Sequence, residues 1–244
     1  MTGLVLAIET SGPVGSVALA RDGAVVARRF LRERGRHAGA LPGAIAEVLR
    51  AAASTPAEVE AVAVGSGPGS FTGVRVAGAA ANGFAHALGR PVVPVSSLAA
   101  AALTAAALPA GAGPWPAEGW PPVRTGVPVR VLFDARGDRV FTAVHEVLDD
   151  TATVIEAPRF ARLPELLDGI GGAVVCGDAV LRHAEALEAA GAEVLPPPAG
   201  VPTADGVIAA LARGLAGPPG PAGAWEPEYL RETGAVRARR QSDR

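Results

Sequence analysis

One short pattern occurs twice in the chain, and this repeat constrains the fold more than any other feature. In the first copy, an apolar run over residues 4–8 ends at Glu9, and a turn of threonine, serine, glycine and proline leads to a second apolar run. In the second copy, an apolar run over residues 129–133 ends at Asp134, and a turn leads to a returning strand. Each copy is typical of a β-hairpin. Because the unit repeats, we predict two similarly built α/β lobes, each with a mixed sheet and flanking helices.

The segments around the two copies predict how the chain is divided. Apolar residues recur at helical spacing over residues 37–53, and a helix rich in small residues is predicted over 71–88. We predict a first lobe over residues 1–105 and a linker or loop rich in proline and glycine over 106–128. A second lobe follows over 129–231, and its helix over 205–215 could pack back on the first lobe. The last segment, 232–244, is predicted to be a flexible basic tail.

The basic and metal-binding side chains exclude several classes of enzyme. All 22 basic residues are arginine, so the chain has neither a phosphate-loop lysine nor a lysine for a Schiff base. The single cysteine, Cys176, can form neither an internal disulfide nor a thiolate zinc site, which favours a reducing compartment. No two of the four histidines have the i, i+4 spacing of a helical metal site, so we expect no metal.

The single cysteine predicts a cytoplasmic protein, and charge and apolar run length weigh against two further classes. The formal net charge of −2 argues against a chain that holds nucleic acid by itself through a basic surface. The longest apolar stretch, residues 98–112, is mostly alanine and is short of the ~20 residues needed to span a bilayer. We therefore expect no membrane association.

The hairpin turns and a glycine-rich segment are candidates for an anion site. A strand, an acid and a Thr/Ser/Gly turn is the arrangement with which actin-like ATPases hold a nucleotide phosphate. The glycine-rich segment lies between a predicted strand and a helix N-terminus, where backbone amides converge. The alternatives are a plain hairpin and a tight turn whose glycines permit positive φ and close packing. The candidate residues for a vestigial nucleotide or anion site are Glu9, Thr10, Ser11, Gly67, Gly69, Ser70 and Asp134.

Several motifs together resemble one protein family. The run Gly67-Pro68-Gly69-Ser70-Phe71-Thr72-Gly73-Val74-Arg75 is the most specific of them, and the others are Leu6-Ala7-Ile8-Glu9-Thr10-Ser11, Asn82-Gly83, Pro94-Val95-Ser96-Ser97-Leu98, Asp134-Ala135-Arg136 and Pro227-Glu228-Tyr229-Leu230-Arg231. They resemble the TsaB (YeaZ) family, non-catalytic subunits of the bacterial tRNA threonylcarbamoyladenosine complex, within the Gcp-like glycoprotease superfamily. The resemblance covers nearly the whole chain except residues 109–128 and the tail. Two departures are Glu9, where the family more often has aspartate, and Gly39, where it often has an acid.

The resemblance implies a fold and a role. The fold would be the duplicated actin-like, sugar-kinase-like ATPase fold. The chain would be a non-catalytic relative of TsaD, because it lacks the His-x-x-x-His pair of that catalytic subunit. It would bind TsaD, work with the ATPase TsaE, and reach tRNA through the complex, which modifies adenosine 37 of tRNAs that read codons beginning with A. No cofactor would be tightly bound by this chain, although ATP or ADP could lie at the complex interface.

The partner interface would lie on the two first-lobe helices. Its predicted residues are Leu41, Ile45, Leu49, Val74, Ala77, Ala81, Phe84 and Ala85. The alternative is that these apolar positions face the lobe's own sheet. The isolated chain could also form a homodimer through the same helices. The rival functional class is a stand-alone enzyme, either an ATP-dependent small-molecule kinase or a glycoprotease-like hydrolase.

Overall fold

The first lobe is built on a five-stranded sheet. The structure is a computed structural model that describes residues 3–31, 37–119, 121, 125–228 and 230. The first-lobe elements are β1 (Leu4–Glu9), β2 (Gly15–Arg21), β3 (Ala24–Leu31), α1 (His37–Ala51), β4 (Val59–Gly65), α2 (Phe71–Leu88), β5 (Val92–Val95) and α3 (Ser97–Ala107). The strand order is β3-β2-β1-β4-β5, with antiparallel pairing among β1–β3 and parallel pairing among β1, β4 and β5.

The second lobe repeats this plan. Its elements are β6 (Pro128–Asp134), β7 (Arg139–Val147), β8 (Ala152–Arg162), α4 (Leu163–Leu167), β9 (Val174–Cys176), α5 (Val180–Ala189), β10 (Glu193–Val194) and α6 (Ala204–Ala212). The strand order is β10-β9-β6-β7-β8, so β6 occupies the central place that β1 has in the first sheet. Glu9 and Asp134 end these two equivalent strands. The predicted duplicated, actin-like α/β architecture is confirmed.

The two halves of the chain exchange helices. Helices α1 and α2 cover one face of the first sheet, and α6, from the second half, packs on its other face with Val207 and Ile208 against Val5 and Ala7. Helix α3, from the first half, packs on the second sheet. Helices α3 and α6 also pack on each other, and at Gly206 they approach so closely that an added Cβ would overlap the Ala100 carbonyl oxygen. The two lobes are therefore interlocked.

Part of the predicted linker is docked on the first lobe. Trp115 packs edge-to-face on Phe30 of β3, with ring centroids 5.8 Å apart, and Gly113 also lies against the Phe30 ring. The segment therefore covers part of β3, which is an edge strand. The predicted tail over residues 232–244 lies outside the described residues. Among the described helices, none has the length and apolarity that crossing a bilayer requires.

Candidate functional site

The structure brings the first hairpin turn and the glycine-rich segment together at one edge of the first sheet. The Ser70 amide donates a hydrogen bond to the Ser11 carbonyl oxygen at 2.8 Å. The Thr10 hydroxyl donates to the Gly73 carbonyl oxygen at 2.6 Å. Ser70 also caps α2, because its side chain accepts a hydrogen bond from the Gly73 amide. Six of the seven candidate anion-site residues are therefore neighbours.

These neighbours are packed tightly against one another. A Cβ on Gly69 would lie 2.8 Å from the Ser11 carbonyl oxygen, and one on Gly73 would overlap the Thr10 carbonyl oxygen. Gly67, at φ 93°, and Gly69, at φ 154°, also have backbone conformations that favour glycine. Glu9, Thr10 and Ser11 are all buried. The tight-turn interpretation accounts for every one of these contacts.

Glu9 is a buried structural acid in this arrangement. Its Oε1 accepts a hydrogen bond from the Ser11 amide at 2.6 Å, and its Oε2 accepts one from the Ser97 hydroxyl at 2.8 Å. The Ser97 Oγ in turn accepts a hydrogen bond from the Gly67 amide at 3.1 Å. The side chain passes directly over Gly65, where a Cβ would overlap the carboxylate. Glu9 thus joins the end of β1 to the start of α3 and to the glycine-rich turn.

The buried Glu9 predicts a pH-dependent difference between the native chain and Glu9→Gln. Burial raises the pKa of Glu9, against the opposing hydrogen bonds from Ser11 and Ser97. Because the pKa of Glu9 is higher in the folded than in the unfolded chain, Glu9 contributes fully to the free energy of unfolding below its unfolded pKa of 4.5. This contribution is lost as the pH rises through the folded pKa. Glutamine cannot ionise, so the melting temperature of Glu9→Gln should rise relative to the native chain as pH increases from about 4.5 to 8. Parallel thermal melts across this range test this, and a difference that does not change with pH would contradict it.

Asp134, the seventh candidate, makes its contacts within the second lobe. Its Oδ2 pairs with Arg182 at 3.0 Å, and its Oδ1 accepts a hydrogen bond from the Arg136 amide at 2.7 Å. Partial burial acts to raise the pKa of Asp134, but the Arg136 hydrogen bond and the Arg182 guanidinium together lower it. The carboxylate is thus held by its own turn and by α5, and it is not joined to the Thr10–Ser11 turn.

The predicted interface side chains lie in the core of the first lobe. Seven of the eight are buried, and six of these seven, all but Val74, belong to the core cluster between the two helices and the first sheet. Phe84 is half-buried against the same cluster. The buried seven are Leu41, Ile45, Leu49, Val74, Ala77, Ala81 and Ala85. This corrects the choice of residues, because side chains that cover the lobe's own sheet do not contact a partner. An interface on these helices would instead use their outward positions.

The outward positions of the two helices form a surface of small residues, here called the outer helix face. On α1 and α2 they are Ala38, Gly39, Ala40, Pro42, Gly43, Ala46, Thr72, Ala79, Gly83, His86 and Ala87. Phe71, which is 57% exposed, lies at the start of α2, and the Arg75 guanidinium stacks 3.9 Å from its ring centroid. An exposed aromatic and an arginine on a surface with few charges are features of protein–protein interfaces.

The glycines of α2 have different neighbours. Gly73 contacts Thr10, and Gly78 lies under the Trp225 ring, so both belong to internal seams. Gly83 has open space at the position of its missing Cβ. The small-residue helix thus serves internal packing on two sides and leaves a third side exposed.

The metal-ligand side chains do not converge. Within the described ranges, no cluster of three or more histidine, cysteine, aspartate or glutamate residues could hold a metal ion. Cys176 is buried on β9, and burial raises the pKa of its thiol to about 12. His145 is buried on β7, and burial lowers its pKa to about 4, so its imidazole is neutral at pH 7.

Comparison with known proteins places these features in one family. The family model for TsaD, tRNA N6-adenosine threonylcarbamoyltransferase, matches residues 32–175. An uncharacterized protein of Mycobacterium tuberculosis is 42% identical over 96 residues, which are 38% of this chain and 46% of that protein. The tRNA threonylcarbamoyladenosine biosynthesis protein TsaB of Haemophilus influenzae is 41% identical over 98 residues, which are 40% of this chain and 41% of that protein. These matches thus span less than half the length of the curated relatives.

A solved structure matches far more of the chain. YeaZ from Pseudomonas aeruginosa superposes with a TM-score of 0.71 at 27% identity, and the match covers 94% of this chain and 100% of that one. The similarity therefore includes both lobes.

Proposed function

The chain belongs to the TsaD family of tRNA N6-adenosine threonylcarbamoyltransferases, and from this premise we propose that it is a TsaB-like, non-catalytic subunit in tRNA threonylcarbamoyladenosine biosynthesis. Two relations support the role: the similarity to proteins named TsaB and the structural similarity to YeaZ. The sequence also lacks the paired histidines at i, i+4 spacing that the resemblance assigns to the catalytic member. The proposed partner is a TsaD-type catalytic subunit.

The outer helix face is the observation that carries this proposal. Small residues on α1 and α2 allow the backbone of a partner helix to approach closely, and ridges of one helix pair can then pack into grooves of another. Phe71 and Arg75 provide a large side-chain pair at one end of the surface. The same surface would support a homodimer of the isolated chain, so partner and homodimer should compete.

The remaining features of the role follow from the proposed complex. A TsaE-type ATPase would act with the two subunits in the cytoplasm, and the tRNA, modified at adenosine 37, would contact the complex rather than this chain alone. The turn of Thr10 and Ser11 is packed against Gly69 and Gly73. We propose that any ATP or ADP lies at the interface of the complex.

Co-purification with the cognate TsaD-type protein tests the proposed function. A stable complex on size-exclusion chromatography is expected, and depletion of this chain should lower threonylcarbamoyladenosine in tRNA, measured by mass spectrometry. The function is wrong if no complex forms and the modification is unchanged. ATP turnover by the isolated chain, abolished by changing Glu9 or Asp134, would instead support a stand-alone kinase or hydrolase.

A further inference from the structure

The last described part of the chain, residues 216–228 together with Leu230, is here called the C-terminal arm and returns from α6 to the first lobe. It runs antiparallel to β5, the edge strand: the Val92 and Gly220 backbones exchange two hydrogen bonds of 2.9 Å, and the Gly217 amide donates to the Pro94 carbonyl oxygen at 2.9 Å. The arm therefore covers an edge of the sheet that would otherwise be open.

The arm then crosses α2 at a position that only glycine permits. The Trp225 ring lies on Gly78, where a Cβ would overlap the ring. The Gly223 amide donates a hydrogen bond to the Asn82 Oδ1 at 3.0 Å, one helical turn further along α2. Trp225 and Ala222 also pack against the core cluster under α1 and α2. The arm is thus held by side-chain packing and by a directed hydrogen bond.

The end of the arm contacts the glycine-rich turn. The Glu228 amide donates to the Ser66 carbonyl oxygen at 2.7 Å, and the Glu228 carbonyl oxygen lies 3.6 Å from the position that a Cβ on Gly67 would take. Leu230 packs against the cluster between α3 and the second sheet. The described residues of the arm therefore contact α2, the turn that precedes α2, and the second lobe.

We propose that the C-terminal arm is a positioning element for the outer helix face, with Trp225 on Gly78 fixing the orientation in which α2 is presented to the TsaD-type partner. This inference rests on the proposed function. At 100° per residue, Gly78 and Asn82 lie on the strip of α2 next to Arg75, Ala79 and His86. Helix α2 is held below by its own sheet and on one side by α1, and the arm holds its other side.

Variants of the full-length chain test the proposal through affinity for the purified cognate TsaD-type protein, measured by calorimetry. Trp225→Ala removes the ring, and Gly78→Ala displaces it. Each is expected to weaken the affinity for the partner by about tenfold or more. Trp225→Phe keeps a ring on Gly78 and should restore most of the affinity. Asn82→Ala removes only the Gly223 hydrogen bond and should have a smaller effect in the same direction.

A double-mutant cycle shows whether the two residues act together. If Gly78 is glycine only to admit the ring, Gly78→Ala should lower the melting temperature in the native background and raise it in Trp225→Ala, because alanine is the better helix former. Native partner affinity in a folded Trp225→Ala or Gly78→Ala variant would overturn the positioning role and leave the proposed function standing. If Trp225→Ala does not fold, native affinity in Gly78→Ala alone overturns the proposal. Failure of the native chain to bind would instead overturn the proposed function.

Discussion

Replacing Ala79 with arginine is expected to weaken binding of the TsaD-type partner by about a hundredfold or more, which corresponds to roughly 2.7 kcal/mol. Ala79 is exposed on α2, on the strip of the outer helix face that carries Thr72, Gly83 and His86. A buried arginine without a partner would be desolvated at the interface, and its long side chain would separate the two helix surfaces. Calorimetry with the purified partner measures the change.

A matched change in the second lobe distinguishes a surface effect from a general one. Ala186 is exposed on α5, so Ala186→Arg introduces the same charge on a helix outside the outer helix face. Neither variant should change the free energy of unfolding by more than about 0.5 kcal/mol, because both sites face solvent. Equal partner affinity for Ala79→Arg, Ala186→Arg and the native chain would place the interface elsewhere.

Local signals in the sequence predict the elements of the fold well. The predicted helix over residues 71–88 has the bounds of α2 because both of its ends have local causes: Ser70 caps the first turn, and Gly89 adopts φ 63° just after the last. The duplication is also visible in the sequence, because an apolar run that ends in an acid is a local pattern. The resemblance to the TsaB family, carried by short motifs, is confirmed by the curated relatives and the YeaZ structure.

The direction in which an apolar stripe faces is not a local property. Leu41, Ile45 and Leu49 recur at helical spacing whether they cover a sheet or a partner. In the structure they cover the sheet, because β1, β2 and β4 present buried leucine, isoleucine and valine on that face. The predicted interface side chains are therefore core positions, and an interface on these helices stays a proposal that would use their exposed positions. The exposed positions between the apolar ones were the signal that could have identified the outer helix face.

Contacts between distant parts of the chain were also beyond sequence reasoning. Glu9 reaches Ser97, and Gly78 receives Trp225, and neither pairing has a local cause. Glycines inside α2 indicate that something approaches closely, but the sequence does not indicate what. In this chain the Glu9 side chain extends past Gly65 and reaches the Ser97 hydroxyl.

The interlocking of the lobes predicts the largest effect on stability. Gly206→Ala would place a methyl group into the α3–α6 seam, where it would overlap the Ala100 carbonyl oxygen and lie 2.7 Å from the Thr104 hydroxyl. Backbone cannot rotate away as a side chain can, so the two helices must separate. We expect a loss of about 3 kcal/mol, which corresponds to a fall of roughly 6–12 °C in the melting temperature for a chain of this size. Thermal unfolding followed by circular dichroism measures it.

A glycine-to-alanine change at Gly83 in α2 provides the control. It adds the same methyl group to a helix, but the surroundings of that methyl group differ. Gly83 has open space where its Cβ would be, so Gly83→Ala should raise stability by up to about 1 kcal/mol through helix propensity alone. If Gly206→Ala destabilises the chain and Gly83→Ala stabilises it, the close approach of α3 and α6 is the cause of the stability lost in Gly206→Ala. If Gly206→Ala is neutral or stabilising, the helices have room to part, and the lobes are less tightly joined than their shared seam implies.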